Sequence, residues 1–356
     1  MTSGKSNNQL AKAAGYFSPI VLTILFLYIA FKGVDLKESF SLITRSSLFA
    51  IVIYIIIFFL SHFARAVRWK FMISSMKKNV SIFHLFGSVM VGYGVNCIIP
   101  RLGELYRGLF LGKWENISRT TVIGTIVVER IIDIASFAFA ALISAGIYSG
   151  NLYNKIVWLK TSLVIGFTLI FALTVFLIFL VRYQEKFGNG FVKLAGKISQ
   201  KYALSLRKIF DTLISGLSSI RGTKNIFTVA VWTVVVLLLY ALNAYAGFYM
   251  LGMESTGKVT FATAWIVMTI SSFGVLIPTP GGTGSYHIIS IFALTQLFKF
   301  DYEISAAYAI LTHFISYLFF ILTTLILIYI VNKQRVKKGL RKESFFSVFK
   351  INPDEK

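Results

Sequence analysis

From Asn225 to Leu251 the chain runs through an apolar stretch without one Asp, Glu, Lys or Arg. A second such stretch, 156–181, is broken only by Lys160. About 18 or more apolar residues, at about 1.5 Å each in a helix, cross a hydrocarbon core of about 30 Å. A soluble globular core has no use for runs of that length. The whole chain is 56% hydrophobic and 14% charged, against about 25% charged in ordinary soluble domains. No part of it has the character of a soluble catalytic domain.

Four more apolar segments complete a set of six predicted spans: about 16–31, 47–64, 120–148, 156–181, 225–251 and 303–331. The first follows a polar start with Lys5 and Lys12 and precedes no small-residue cleavage site, so it is expected as a retained span. Two further apolar segments are interrupted. Residues 82–99 meet Pro100-Arg101-Leu102-Gly103-Glu104, and residues 260–277 meet Pro278-Thr279-Pro280-Gly281-Gly282-Thr283-Gly284. Proline removes a helical hydrogen bond and glycine loosens the backbone. Such a break is stable in lipid only when buried in protein or facing water.

The basic residues sort the loops. If both broken segments are re-entrant, the N-terminus, 65–81, 101–119, 182–224 and the tail share one side. They hold 28 of the 36 Lys and Arg, and the opposite loops hold seven. Positive loops mark the cytoplasmic face, which places both termini there. Full crossing by either segment would put basic loops on the wrong side. The two breaks also repeat at an offset of 178. Ser88-Val89-Met90 aligns with Ile266-Val267-Met268, Pro100 with Pro278, and Gly103 with Gly281. Span, hairpin and span thus recur in opposite orientation, as in many secondary transporters. The predicted fold is all-α: a polytopic membrane protein of six transmembrane helices plus two opposed re-entrant hairpins forming an inverted repeat. Residues 1–15 form a cytoplasmic N-terminus, 16–331 the membrane domain with repeat halves about 47–148 and 225–331, and 332–356 a basic tail.

The net charge of +22 lies in loops and suits an anionic lipid surface better than nucleic acid. Within 182–224, Phe187, Phe191, Leu194, Ile198 and Tyr202 share a helical face and lysines fill the remainder. This predicts an amphipathic helix on the cytoplasmic leaflet or under the bundle. Lys333 to Lys338 form a predicted juxtamembrane anchor. Cys97, the single cysteine, excludes a disulfide framework.

Charges within a membrane are costly and tend to be functional. Arg65 and Arg68 end the second span beside Trp69, expected as an interfacial anchor. Arg101, Glu104 and Arg107 follow the first break, and Glu129, Arg130 and Asp133 lie inside the third span. Glu129 and Asp133 share a helix face. They form either a structural ion network, with Arg101 or Arg107 as available partners on the hairpin, or an arginine-lined site suited to phosphate. In the second break the backbone N–H groups of Thr279, Gly281, Gly282, Thr283 and Gly284 are expected to face an anion at a helix N-terminus. His287, one turn later, either packs or titrates. Catalytic motifs, cofactor motifs and metal clusters are absent from the sequence.

Asn96 with Pro100-Arg101-Leu102-Gly103-Glu104, together with Arg65/Arg68-Trp69, Glu129-Arg130 with Asp133, and Pro278 to Gly284, resembles the lysylphosphatidylglycerol synthase transmembrane-region family. Its members are also called flippase-like membrane proteins. The resemblance covers about residues 16–331. It implies a lipid translocase of the bacterial cytoplasmic membrane, with membrane lipids as partners, and no enzyme activity, since the cytosolic aminoacyl transferase domain of some members is not found here. The family commonly carries a Glu soon after the Pro-Gly-Gly turn, where this chain has His287. That departure shifts the expected cargo from a lysyl lipid to an anionic or glycan-linked one. Two other readings stay open: a lipid-modifying enzyme using Glu104, Glu129 or Asp133 as acid and base, and a lipid-binding scaffold without transport. The sequence sets no oligomeric state.

Overall fold

The computed structural model describes residues 18–148 except 75, scattered positions between 160 and 211, and residues 223–349. The span predicted at 156–181 and the amphipathic segment predicted at 182–224 fall largely outside the described residues.

The described chain is helical, without strands. α1 (Ser18–Phe31) bends by 87° into α2 (Leu36–Thr44), whose N-cap Asp35 accepts from the Lys37 and Glu38 N–H groups. α3 (Leu48–Ile73) starts on the Ser47 cap. α4 (Ile82–Ile98) and α5 (Gly103–Glu115) flank the first break, and α6 (Arg119–Ile147) follows. α7 (Thr223–Met250) precedes α8 (Phe261–Val275), which opens on a Thr260–Thr263 capping box. After the second break come α9 (Ser285–Phe292), one π turn (Ala293–Leu297), and α10 (Tyr302–Lys337).

Among the described residues, α3, α7 and α10 are each long and apolar enough to cross a membrane. Their outer faces leave Leu48, Phe49, Phe227 and Tyr329 exposed, a surface that suits lipid and not water. Two predicted spans differ. α1 covers 14 residues before the chain turns at Gly33, where φ is 80°, and at about 1.5 Å per residue that is too short to cross alone. α3 continues nine residues past its predicted end at 64, because its added charges find buried partners.

Both breaks make antiparallel hairpins. In the first, Gly103 N–H donates to Asn96 Oδ1 at 2.8 Å, while Gly92 faces Arg107 and Gly87 faces Trp114. In the second, Gly274 faces Ser285 and Tyr286, and Ser290 Oγ bonds Ser271 Oγ at 2.9 Å.

α10 shows how the hairpins are placed. Its C-terminal half packs on α4, with Thr324 Oγ1 donating to the Met90 carbonyl at 2.8 Å. Its N-terminal half packs on α9, with Tyr286 Oη 3.0 Å from Thr312 Oγ1. Between them, Tyr317 donates to the Cys97 carbonyl and His313 Nε2 lies 3.2 Å from the Gly281 carbonyl. The hairpins therefore lie end to end along α10 with their tips touching near its middle. α6 repeats this from the other side. Thr125 accepts from Trp69 Nε1 near the first hairpin. Farther along, the Ala140 carbonyl accepts from Trp265 Nε1 and Tyr148 donates to the Leu297 carbonyl at the second. Exchanging α3–α6 with α7–α10 preserves the principal neighbours: α4 on α10 becomes α8 on α6, and α3 on α7 maps to itself.

The loops collect at two ends. Lys77 binds Glu115, Arg335 donates to the Lys113 carbonyl, and Arg119 donates to the Val348 carbonyl. At the other end, Ser47 N–H meets the Met250 carbonyl, Ser39 meets Glu303, and Lys258 meets the Lys299 carbonyl. In the segment predicted as a juxtamembrane anchor Arg335 also pairs with Glu343, and farther along the tail Val348 is buried beside Phe110 and Trp114.

Candidate functional site

Residues 65, 68 and 69 are three and four apart, so α3 presents them on one face. That face meets Glu129 and Asp133, four apart on α6. Arg65 Nε lies 2.8 Å from Glu129 Oε1, and Arg65 also pairs with Asp133. Arg68 Nη2 lies 3.1 Å from Glu129 Oε1 and 2.6 Å from Asp133 Oδ1. Arg107, from α5, places Nη2 2.8 Å from Glu129 Oε2 and stacks its guanidinium 3.7 Å from the Trp69 ring centroid. All five charged groups are buried, Glu129 completely. Removing any one partner would strand a buried charge, a change that costs about 3–5 kcal/mol.

Arg130 points the other way. It is partly exposed and only loosely placed, 3.7 Å from both Glu104 and Asp133. Together with Arg107, Glu104, Asn96, Tyr93, Val89, Gly92 and Gly103 it lines a narrow cleft between α4, α5 and α6. Asn96 is the cleft's organiser: its carbonyl oxygen caps the α5 N-terminus at Gly103, and its amide reaches Glu104 at 3.4 Å.

The geometry can be set beside known proteins. The family model described as the lysylphosphatidylglycerol synthase TM region matches residues 16–323. The chain belongs to this family. Among curated proteins it is similar to a UPF0104 membrane protein of Methanocaldococcus jannaschii, at 26% identity over 90% of this chain and 97% of the relative. A UPF0104 membrane protein of Pyrococcus horikoshii is 22% identical over 76% of this chain and 84% of the relative. A second from M. jannaschii is 27% identical over 68% and 97%. These relatives are archaeal, so they lend nothing to the expectation of a bacterial membrane.

In this member of the lysylphosphatidylglycerol synthase TM-region family, the expected site residues divide into three groups. Arg65, Arg68, Arg107, Glu129 and Asp133 form the buried network, and Asn96, Glu104 and Arg130 line the cleft with Arg107. Arg101 joins neither. It stands at the hairpin tip with a left-handed φ of 66° and donates across to the Leu276 carbonyl of the second hairpin.

The third group is the second break, and here the expectation of an open anion-binding backbone is corrected. Gly282 N–H bonds the Thr279 carbonyl and Thr283 N–H bonds the Pro280 carbonyl. Gly284 N–H donates to His287 Nδ1 at 3.3 Å. Thr279 Oγ1 is held by Ser285 Oγ at 3.0 Å. With the Thr279 N–H on the Ile277 carbonyl, four of the five expected donors are bonded locally. Gly281, at φ 57°, instead permits close contact with Tyr317 and the Cys97 backbone, and Gly284, at φ 85°, with Phe26 of α1. His287 is buried between Phe31 and His313, at ring-centroid distances of 5.6 and 4.7 Å. These residues shape the meeting of the tips and do not line the cleft. Trp69 is likewise fully buried, a core partner of Arg107 and not an interfacial anchor.

Sequence reasoning missed the neutral wall of the network. Tyr240 and Thr233 accept from Arg65 and Arg68, each at 3.3 Å, and Tyr93 flanks Arg65. Positions 233 and 240 are seven apart, two turns on one face of a largely apolar α7, which was the available signal. Also missed was the clasp at the base of the first hairpin. Glu115 Oε1 lies 2.6 Å from His84 Nδ1 and 3.1 Å from Ser81 N, and Oε2 lies 2.8 Å from Lys77 Nζ. Burial acts to raise the Glu115 carboxyl pKa, but the His84, Lys77 and Ser81 contacts outweigh it and hold it at about 2.

Proposed function

We propose that this protein is a lipid translocase that passes a polar, anionic headgroup between leaflets without covalent chemistry. One observation carries the reading: three buried arginines face two buried carboxylates beside a cleft at the inner end of the first hairpin. Buried ion networks are retained at a cost, and in a membrane they mark substrate paths. Planar guanidinium groups match phosphate oxygens.

In this reading both hairpins are re-entrant, and the end holding Lys77, Lys113, Arg119 and Arg335 faces the cytoplasm. The exchange symmetry of the two quartets supports it, since opposed repeats are how many transporters alternate access. The headgroup occupies the cleft of Asn96, Glu104, Arg107 and Arg130 while the acyl chains stay in lipid. The touching tips, Arg101 to Leu276, close the passage between the two ends.

The test is a leaflet-resolved assay of fluorescent phospholipids in vesicles carrying the purified protein. Arg107→Gln is expected to slow movement by tenfold or more, with the thermal transition monitored to show that the variant is folded. Unaltered movement by folded Arg107→Gln removes the site. Product formation from lipid donors by purified protein would instead establish an enzyme.

A further inference from the structure

The charges around the cleft can be counted, and the count selects among anionic headgroups. In the buried network, Arg65, Arg68 and Arg107 face Glu129 and Asp133, so one positive charge is left over. At the mouth, Arg130 and Glu104 offset one another. Among the described residues no other charged side chain lines the cleft, and Arg101 is turned to Leu276 on the other hairpin. Of the three network arginines Arg107 is the one that lines the cleft; it is 2% exposed, and its Nε, like that of Arg68, has no hydrogen-bond acceptor among the described residues. A buried guanidinium N–H left in that state is costly, and an anionic oxygen is its strongest partner.

We infer that the cleft is matched to a headgroup bearing a single negative charge, a phosphodiester, and that Glu104 rejects a second charge such as that of a phosphomonoester or diphosphate. This rests on the translocase reading and deepens it. Glu104 sits in the first turn of α5, and Asn96 holds it at the mouth. A monoanion neutralises the surplus charge. A dianion leaves one negative charge against the Glu104 carboxylate, and like charges a few ångströms apart repel.

The experiment uses the full chain in vesicles with three fluorescent lipids of identical acyl chains. These are a phosphatidylglycerol (one charge), a phosphatidic acid assayed well above its second ionisation, which for phosphomonoesters falls near pH ≈ 6, and a neutral glucosyl diacylglycerol. Phosphatidylglycerol is expected to move about tenfold faster than either other lipid. Glu104→Gln is expected to cut its advantage over phosphatidic acid about tenfold, and Arg130→Gln to cut its advantage over the neutral glycolipid. Equal or faster movement of phosphatidic acid by the natural protein, or an unchanged ratio in Glu104→Gln, overturns the inference while leaving translocation standing. Movement of no lipid by folded protein overturns translocation itself. Native mass spectrometry of the same lipids bound then decides the charge question alone, with phosphatidylglycerol over phosphatidic acid supporting it and the reverse order overturning it. Inorganic phosphate entering the vesicles in place of lipid would assign the same site to a soluble anion and overturn the lipid source.

Discussion

Behind the tip of the first hairpin, Arg107 meets Glu129 inside a network of five buried charges. At the tip of the second, His287, Thr279 and Ser285 satisfy one another and the turn's own backbone. The helices around the two hairpins correspond, but the side chains do not. At the offset of 178, Ala307 and Leu311 stand opposite Glu129 and Asp133, and Asn243 and Ala246 opposite Arg65 and Arg68. One half carries charge and the other carries shape. A duplicated scaffold therefore need not duplicate its chemistry. Here the polar cleft belongs to one repeat, and the other supplies a neutral, tightly hydrogen-bonded surface for the first tip to meet.

That contrast predicts unequal responses to mutation. The largest is expected from Glu129→Ala, which leaves Arg65, Arg68 and Arg107 without a shared anion. It should lower stability by about 3–5 kcal/mol, seen as a large fall in thermal transition in detergent. Ala307→Ser, at the corresponding place in the second half, should change little by comparison. A transition unmoved by Glu129→Ala would mean that the charges are solvated and the contrast is false.

Next come the glycines that let each hairpin close. A methyl group on Gly103 would collide with the Gly92 carbonyl, and one on Gly274 would lie 2.7 Å from the Ser285 carbonyl. Both contacts are to backbone, which yields little. Gly103→Ala and Gly274→Ala should each destabilise by about 1–3 kcal/mol, the first more. Equal tolerance of both would show looser hairpins than described.

Arg101 sharpens the comparison at the tips. Its left-handed backbone costs about 1 kcal/mol, and its bond to Leu276 returns about 1 kcal/mol. Arg101→Gly should thus leave stability nearly level, whereas Arg101→Ala keeps the strain, loses the bond and falls by about 1 kcal/mol. The two variants behaving alike would dismiss the tip contact.

The remaining effect is pH-dependent and confined to the base of the first hairpin. The folded Glu115 carboxyl, at about 2, lies below its ordinary value of 4.5. Its contribution is complete above pH 4.5 and fades as the pH falls from about 4.5 toward 2. Glu115→Gln should flatten stability across that interval, read from thermal transitions between pH 5 and about 2.

Apolar runs, the paired breaks and the charge of the loops were legible as a membrane protein with two repeated hairpins, because lipid imposes length and polarity rules on each segment separately. The grouping of 65–81, 101–119 and 332–349 at one end was legible for the same reason. Arg65, Arg68, Glu129 and Asp133 were legible as a set because charge in an apolar helix is conspicuous. Tyr240 and Thr233 were not, since a hydroxyl in such a helix is ordinary until an arginine points at it. Nor was the fate of the Pro278–Gly284 turn, where the N–H groups of Thr279, Gly282, Thr283 and Gly284 look available in sequence and are bonded once the turn closes on itself.

The sequence by itself determined that this chain lives in a membrane, breaks two helices and carries buried charge, since each follows from local composition and the cost of polar groups in lipid. The tertiary structure alone decided that Arg107 enters the network while Arg101 crosses to the other hairpin, and that His287 packs away from the cleft. Those outcomes depend on which helices meet. A pairing between residues tens of positions apart is a property of the packed molecule and is not written in either segment.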